Sequence, residues 1–212
     1  MPNEIIYIGD PMCSWCWGFA PVIKSIHKDF EREAPVSLIL GGLHAHDAFP
    51  MDEDYKANIK HHWQDVNRTT GAVFDYRFFD RKDFILDTEP ACRAVITMRQ
   101  IKPEATLAFY ESVSRSFYTE NKDTTDIETF KPLVERFNIN FQGFSKRFNS
   151  NQIKEETKGD FQFSKKIGVT GFPTLLVKED DKLAILTRGY RPYQQLKTEI
   201  IDWLTNGLSE NY

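Results

Sequence analysis

The chain has 212 residues, 41% hydrophobic with 17 Phe, which is enough to build a substantial core in one large domain or a domain carrying an insertion. Its formal net charge is −4 and no run of Lys or Arg occurs, which argues against nucleic acid and anionic membrane as partners. No apolar stretch approaches membrane-span length, and Met1-Pro2-Asn3-Glu4 lacks the basic region and apolar segment of a signal peptide, so a cytoplasmic location is expected.

Residues 4 to 9 form the first predicted strand, continuously apolar as in a strand buried on both faces. Cys13-Ser14-Trp15-Cys16 follows and opens a predicted helix from Ser14 to about Arg32, with Phe19, Val22, Ile23, Ile26 and Phe30 at helical spacing. Pro21 inside it should remove a hydrogen bond and bend the helix. Val36 to Leu40 is a second strand, ended by Gly41-Gly42, which makes a β-α-β unit with parallel strands. His44-Ala45-His46-Asp47 comes next, on the sheet edge that also carries the start of the Cys13 helix. An exposed loop, a contact in a substrate groove and a metal site are the readings open for these histidines.

From about Met51 to Lys165 the periodicity is mostly helical. Thr88-Glu89-Pro90 marks the start of a helix that carries Cys92. Leu107, Tyr110, Val113 and Phe117 form one apolar stripe, and Ile127, Phe130, Val134 and Phe137 another. Thr125 with Glu128 fits a capping box, and Pro132 predicts a break near Phe130. Pro173 to Val177 is a strand, Lys178 to Lys182 a charged turn, and Leu183 to Leu186 a second strand of a hairpin. A last helix starts near Pro192, buries Leu196, Ile200, Ile201 and Leu204, and ends at Asn206-Gly207. The expected organisation is residues 1–50 and 166–212 as one unit, with 51–165 inserted as a helical block.

Three cysteines in a chain of this size are not a disulfide framework. In a reducing compartment a CxxC is redox-active or metal-binding. Zinc takes about four ligands, and only Cys92 could join the pair as a sulfur ligand, so no metal is expected. At a helix N-terminus, unpaired backbone N–H groups and the helix dipole favour thiolate, which is the nucleophile. Cys13 is therefore the candidate reactive cysteine, and Cys16 lies one turn on, within disulfide reach. Ser14-Trp15 adds neither a cation nor an imidazole, so a moderate lowering of the Cys13 pKa is expected, and with it a reductase or isomerase rather than a strong oxidase.

The strand, the CxxC at a helix start, Pro21 five residues after the second cysteine, and Gly171-Phe172-Pro173-Thr174 before a hairpin and terminal helix resemble the thioredoxin fold. The helical insertion resembles its DsbA-like branch, an α/β class. Asp10-Pro11-Met12-Cys13-Ser14-Trp15-Cys16-Trp17-Gly18-Phe19 and Asp87-Thr88-Glu89-Pro90-Ala91-Cys92-Arg93-Ala94 are similar to a cytoplasmic, predicted disulfide-isomerase subgroup of that branch. The resemblance implies that Cys13 attacks, Cys16 resolves, and the Phe172–Pro173 bond is cis, with the Phe172 backbone facing Cys13 where an extended substrate can pair. Trp15 is the expected apolar substrate contact and Trp17 a core residue. The implied partners are protein or small-molecule thiols and disulfides, glutathione among them, and a cellular reductant, with no cofactor.

The chain departs from the wider family at Tyr7, where thioredoxin-like proteins often carry a buried acid; a phenol can donate a hydrogen bond but is a poor base near neutral pH. Asp10 is a candidate proton shuttle, against its reading as a turn or capping residue. Cys92 is a buried hydrophobe or a third redox thiol. Two other functions stay open. Kappa-class glutathione transferases and glutathione-dependent chromene-carboxylate isomerases share the architecture but usually place serine at the Cys13 position. A thioredoxin-like adaptor would need no thiolate.

Overall fold

The computed structural model describes residues 3–208. Strand β1 (Glu4–Gly9) leads into helix α1 (Ser14–Phe30) and strand β2 (Val36–Leu40), which pairs with β1 in parallel. Strands β3 (Thr174–Glu179) and β4 (Lys182–Arg188) are antiparallel to their neighbours and complete a four-stranded sheet of order β2-β1-β3-β4. Alternation along β1 sends Ile5 and Tyr7 into the main core and Ile6 and Ile8 into a smaller cluster with Val169 and Leu176 on the other face.

Between β2 and β3 run α2 (Glu53–Thr70), α3 (Glu89–Ile101), α4 (Thr106–Tyr118), α5 (Lys131–Arg136), α6 (Phe141–Phe148) and α7 (Asn151–Lys166). Helix α8 (Tyr193–Asn206) follows β4 and packs on α1. One hydrophobic cluster runs without interruption from Ile5 through Trp63, Phe109 and Phe144 to Trp203, so the helical block and the sheet share a core.

β2 is an edge strand, and its open side is covered. Asp160 on α7 accepts the Leu40 N–H at 2.9 Å, and Arg99 on α3 donates to the Leu38 carbonyl at 2.9 Å. The two side chains pair at 2.9 and 3.0 Å. Their ion pair therefore occupies edge groups that would otherwise be free to pair with another strand.

Several local expectations change. The hairpin turn is tighter than the charged segment suggests: Glu179 pairs with Lys182, leaving Asp180 and Asp181 at the corner, with Asp180 at φ 53°. The Thr125–Glu128 capping box does not form. Asp126 caps the turn instead, accepting from Glu128 N at 3.0 Å, and Thr125 donates to Asp123. The Asp126 carboxylate takes the Glu128 amide, and the Thr125 hydroxyl is already engaged by Asp123. A 3₁₀ turn, Ile127–Phe130, precedes α5, which carries Pro132 in its first turn. Ile201 is 47% exposed, so it belongs to the outer side of α8 and not to its buried face. Pro21 sits on the exposed side of α1, which continues through it.

Candidate active site

Cys13 is the N-cap of α1, with extended backbone at φ −92° and ψ 119°. A turn holds it there: Cys13 N donates to Asp10 O, and Trp17 N donates to Cys13 O, both at 3.0 Å. No acidic residue occupies the first turn of α1. Cys13 is 5% exposed and Cys16 is fully buried behind it, and the two thiols are unbonded neighbours.

The Phe172–Pro173 peptide is cis. Phe172 brings its carbonyl to the cysteine, and Cys13 Sγ donates to that oxygen at 3.6 Å. The Phe172 ring also lies against the end of β2, where a Cβ on Gly41 would meet its Cζ at 2.0 Å. Glycine at position 41 is what lets the ring approach. The two halves of the sheet thus meet at the thiol.

Cys13 opens onto a cleft of about 280 Å³ whose walls include Met12, Trp15, His44, Tyr55, Trp63 and Phe172. Trp15 is half-buried and tilts against Tyr190 at 6.2 Å between centroids. Trp17 is in the core, stacked on Tyr118, with its indole N–H donating to Val73 O at 3.0 Å. His44 reaches this cleft and pairs with Asp47 at 3.3 Å and with the Tyr55 hydroxyl at 3.2 Å. His46 does not line it. It borders a separate polar depression with Glu89 and Arg93.

Asp10 is fully buried under the cysteine loop. Its carboxylate accepts Met12 N at 2.8 Å and Leu43 N at 2.7 Å, and the Cys92 thiol donates to it at 3.5 Å. It ties three chain segments together: the loop before α1, the loop after β2 and the start of α3. Thr88 reinforces the junction by accepting from His44 N at 3.2 Å. Burial pushes the Asp10 carboxyl above its ordinary value, while the Leu43 and Met12 amides pull the other way. Cys92 is fully buried, and burial first and the Asp10 charge next hold its thiol well above the usual range.

The expected lowering of the Cys13 pKa does not appear in the reduced pair. The Cys16 sulfur beside it is the largest influence and raises it, and burial adds to this. The Cys16 backbone N–H acts in the opposite sense, so the contribution of the helix start is present but outweighed. Sequence reasoning named Tyr7 as a departure but could not see its companion. Tyr7 is fully buried, burial and then the Cys16 sulfur hold its phenol well above the ordinary value, and Tyr110 on α4 lies 3.2 Å away, oxygen to oxygen.

A family model described as the DSBA-like thioredoxin domain matches residues 5–200. The chain belongs to the DsbA-like thioredoxin family. Within the family, a Nitrosomonas europaea protein, provisionally named a protein disulfide isomerase, is 36% identical, with 97% of this chain and 98% of that one superposed at a TM-score of 0.91. The Pseudomonas aeruginosa cytosolic disulfide reductase DsbM shares the DsbA-like fold at 19% identity and a TM-score of 0.74, with 95% of each chain covered. It also has a structure with GSH, matched at a TM-score of 0.71. The ClpXP adapter protein SpxH of Halalkalibacterium halodurans is 21% identical over 198 residues, 91% of this chain. The chain spans 64% of the length of that curated relative. Among the described residues no helix is long and apolar enough to cross a membrane.

Proposed function

We propose that this DsbA-like chain is a cytoplasmic thiol–disulfide oxidoreductase that reduces or isomerises disulfides through Cys13 and Cys16. The observation that carries the reading is Cys13 Sγ poised at the mouth of a cleft against the Phe172 carbonyl, with a second thiol buried behind it. The Cys13 thiolate attacks one sulfur of a substrate disulfide. A Cys13–substrate disulfide forms and the other substrate sulfur leaves as a thiolate that takes up a proton. Cys16, as thiolate, then attacks Cys13 Sγ; the Cys13–Cys16 bond forms and the second substrate sulfur leaves. A cellular thiol returns the pair to the reduced state. Isomerisation is the same first step followed by attack from another substrate thiol.

Phe172 and Pro173 form the wall beside the attacked sulfur, and Trp15 supplies apolar contact for the rest of the substrate. Asp10 is assigned an anchoring role, because its oxygens are engaged by Met12, Leu43 and Cys92. A thiol held above its ordinary pKa gains little stabilisation as thiolate, and a less stabilised reduced form makes a more reducing couple. The likeness to a cytosolic reductase that has been captured with GSH supports glutathione as substrate or reductant and the cytoplasm as the compartment. Cys13 is present where the kappa-type glutathione enzymes usually carry serine.

The test is reduction of insulin disulfides with glutathione as the electron source. Wild type should be active and Cys13→Ser inactive. Equal rates for the two proteins would refute the exchange reading and favour an adaptor role, to which the likeness to SpxH points.

A further inference from the structure

Cys16 poses a problem that the cleft does not solve. It must lose a proton before it can attack Cys13, yet it is fully buried and, unlike Cys13, does not line the cleft. The Asp10 carboxylate is engaged with the cysteine loop. Behind Cys16, on the side away from the cleft, two phenols meet. Tyr7 lies near enough to Cys16 for that sulfur to add to the burial that raises its pKa, and its oxygen is 3.2 Å from that of Tyr110. Both side chains are buried, at 0% and 2% exposure. The sheet makes room for them: a Cβ on Gly9 would stand 2.8 Å from each hydroxyl oxygen.

Tyr110 has a second side. It lines a cavity of about 190 Å³ between α1 and α4, whose wall also includes Lys24, His27, Glu104 and Glu111. Lys24 and Glu104 are exposed, so the cavity opens to water. His27 Nδ1, at its wall, is buried without a hydrogen-bond partner among the described residues.

Resting on the exchange reaction above, we propose that Tyr7 and Tyr110 relay the Cys16 proton to this rear cavity, so that the resolving thiol gives up its proton by a path separate from the substrate cleft. The relay is a concerted shift. As the Cys16 S–H proton passes to the Tyr7 oxygen, the Tyr7 hydroxyl proton passes to the Tyr110 oxygen. The Tyr110 hydroxyl proton passes to cavity water or a basic side chain there. One proton leaves Cys16, one enters the cavity, and both phenols end neutral. The Cys16 thiolate then forms its bond to Cys13 as the bond from Cys13 to the substrate sulfur breaks, and the released thiolate is protonated from solvent. Burial holds both phenols neutral far above neutral pH, which suits relays and not bases. A hydroxyl that both donates and accepts can pass a proton on where phenylalanine cannot.

Tyr7→Phe and Tyr110→Phe each remove one oxygen and leave the ring in place. Rapid mixing with a chromogenic aryl disulfide separates two events: attack by Cys13, read from the first arylthiolate released, and attack by Cys16, read from the second. The expected result is a tenfold or greater slowing of the second release in each variant, loss of its solvent deuterium isotope effect, and an unchanged first release. A second release at the wild-type rate in Tyr110→Phe would overturn the relay, and so would equal slowing of both releases, which marks a structural role. Absence of any first release from wild type would instead refute the exchange reaction itself.

Discussion

Cys13 Sγ and the carbonyl oxygen of Phe172 lie 3.6 Å apart although 159 residues separate them in the chain. The contact joins the two halves of the sheet at the cysteine that lines the cleft. The groups packed around it, from the Asp10 anchor to the Phe172 ring over Gly41, hold that sulfur in place.

The division of labour between the two cysteines gives the first prediction. Cys16→Ala removes the proposed resolving thiol and should accumulate a covalent Cys13–substrate adduct, visible by mass spectrometry and absent from Cys13→Ser. An adduct formed on Cys92 instead would contradict the assignment, because Cys92 is fully buried and held by Asp10.

The second prediction concerns proton affinity. Folded Cys13 binds its proton more tightly than an ordinary cysteine, chiefly because of the Cys16 sulfur. Removing that sulfur should lower the Cys13 pKa, so Cys16→Ala should alkylate faster than wild type at pH 8. The linked effect on stability has a definite sign. Above the ordinary cysteine value of 9.0 the unfolded chain releases protons that folded Cys13 and Cys92 retain. The reduced protein should hold its full thiol contribution below pH 9 and lose stability as pH rises beyond it. Denaturant unfolding of the reduced protein at pH 8 and pH 10 checks this.

The approach of Phe172 to Gly41 yields a third. A methyl group at position 41 would overlap the Phe172 ring, and overpacking of this kind costs about 1–3 kcal/mol. Gly41→Ala should lower the unfolding midpoint and, by moving Phe172, reduce kcat/KM for protein disulfides. Wild-type values for both would show that the ring swings away freely.

A fourth prediction lies away from the thiols. Asp160 on α7 joins Arg99 to the edge of β2, with side-chain exposures of 10% and 26%. Removing one partner of such a pair costs about 3 kcal/mol, since the other charge and the Leu40 N–H are left without it. Asp160→Ala should lower stability by that order in urea titration while leaving the rate of Cys13 alkylation in the folded protein unchanged.

Local signals made much of this architecture readable. The apolar runs of β1, β2 and β3 needed only strand chemistry and the CxxC marked the start of α1, whereas the cis bond at Phe172–Pro173 followed from the resemblance that Gly171-Phe172-Pro173-Thr174 helps to carry. The failures were also local where short polar side chains competed, as when Asp126 displaced Thr125 as cap. What stayed hidden depends on contacts distant in sequence. Tyr7 reads as an oddity until Tyr110, 103 residues on, meets it. Asp10 reads as a turn residue until Leu43 and Cys92 converge on its carboxylate. The Cys13 pKa misled for the same reason: the helix start is written in the sequence, but the burial of both thiols together is not.

The reduction potential of the Cys13–Cys16 pair, measured by equilibration with glutathione buffers, tests the central claim most directly. The account predicts a reducing couple, roughly −200 to −270 mV, in the range of glutaredoxins and thioredoxin. A value near about −120 mV, that of a strong periplasmic oxidant, would contradict it.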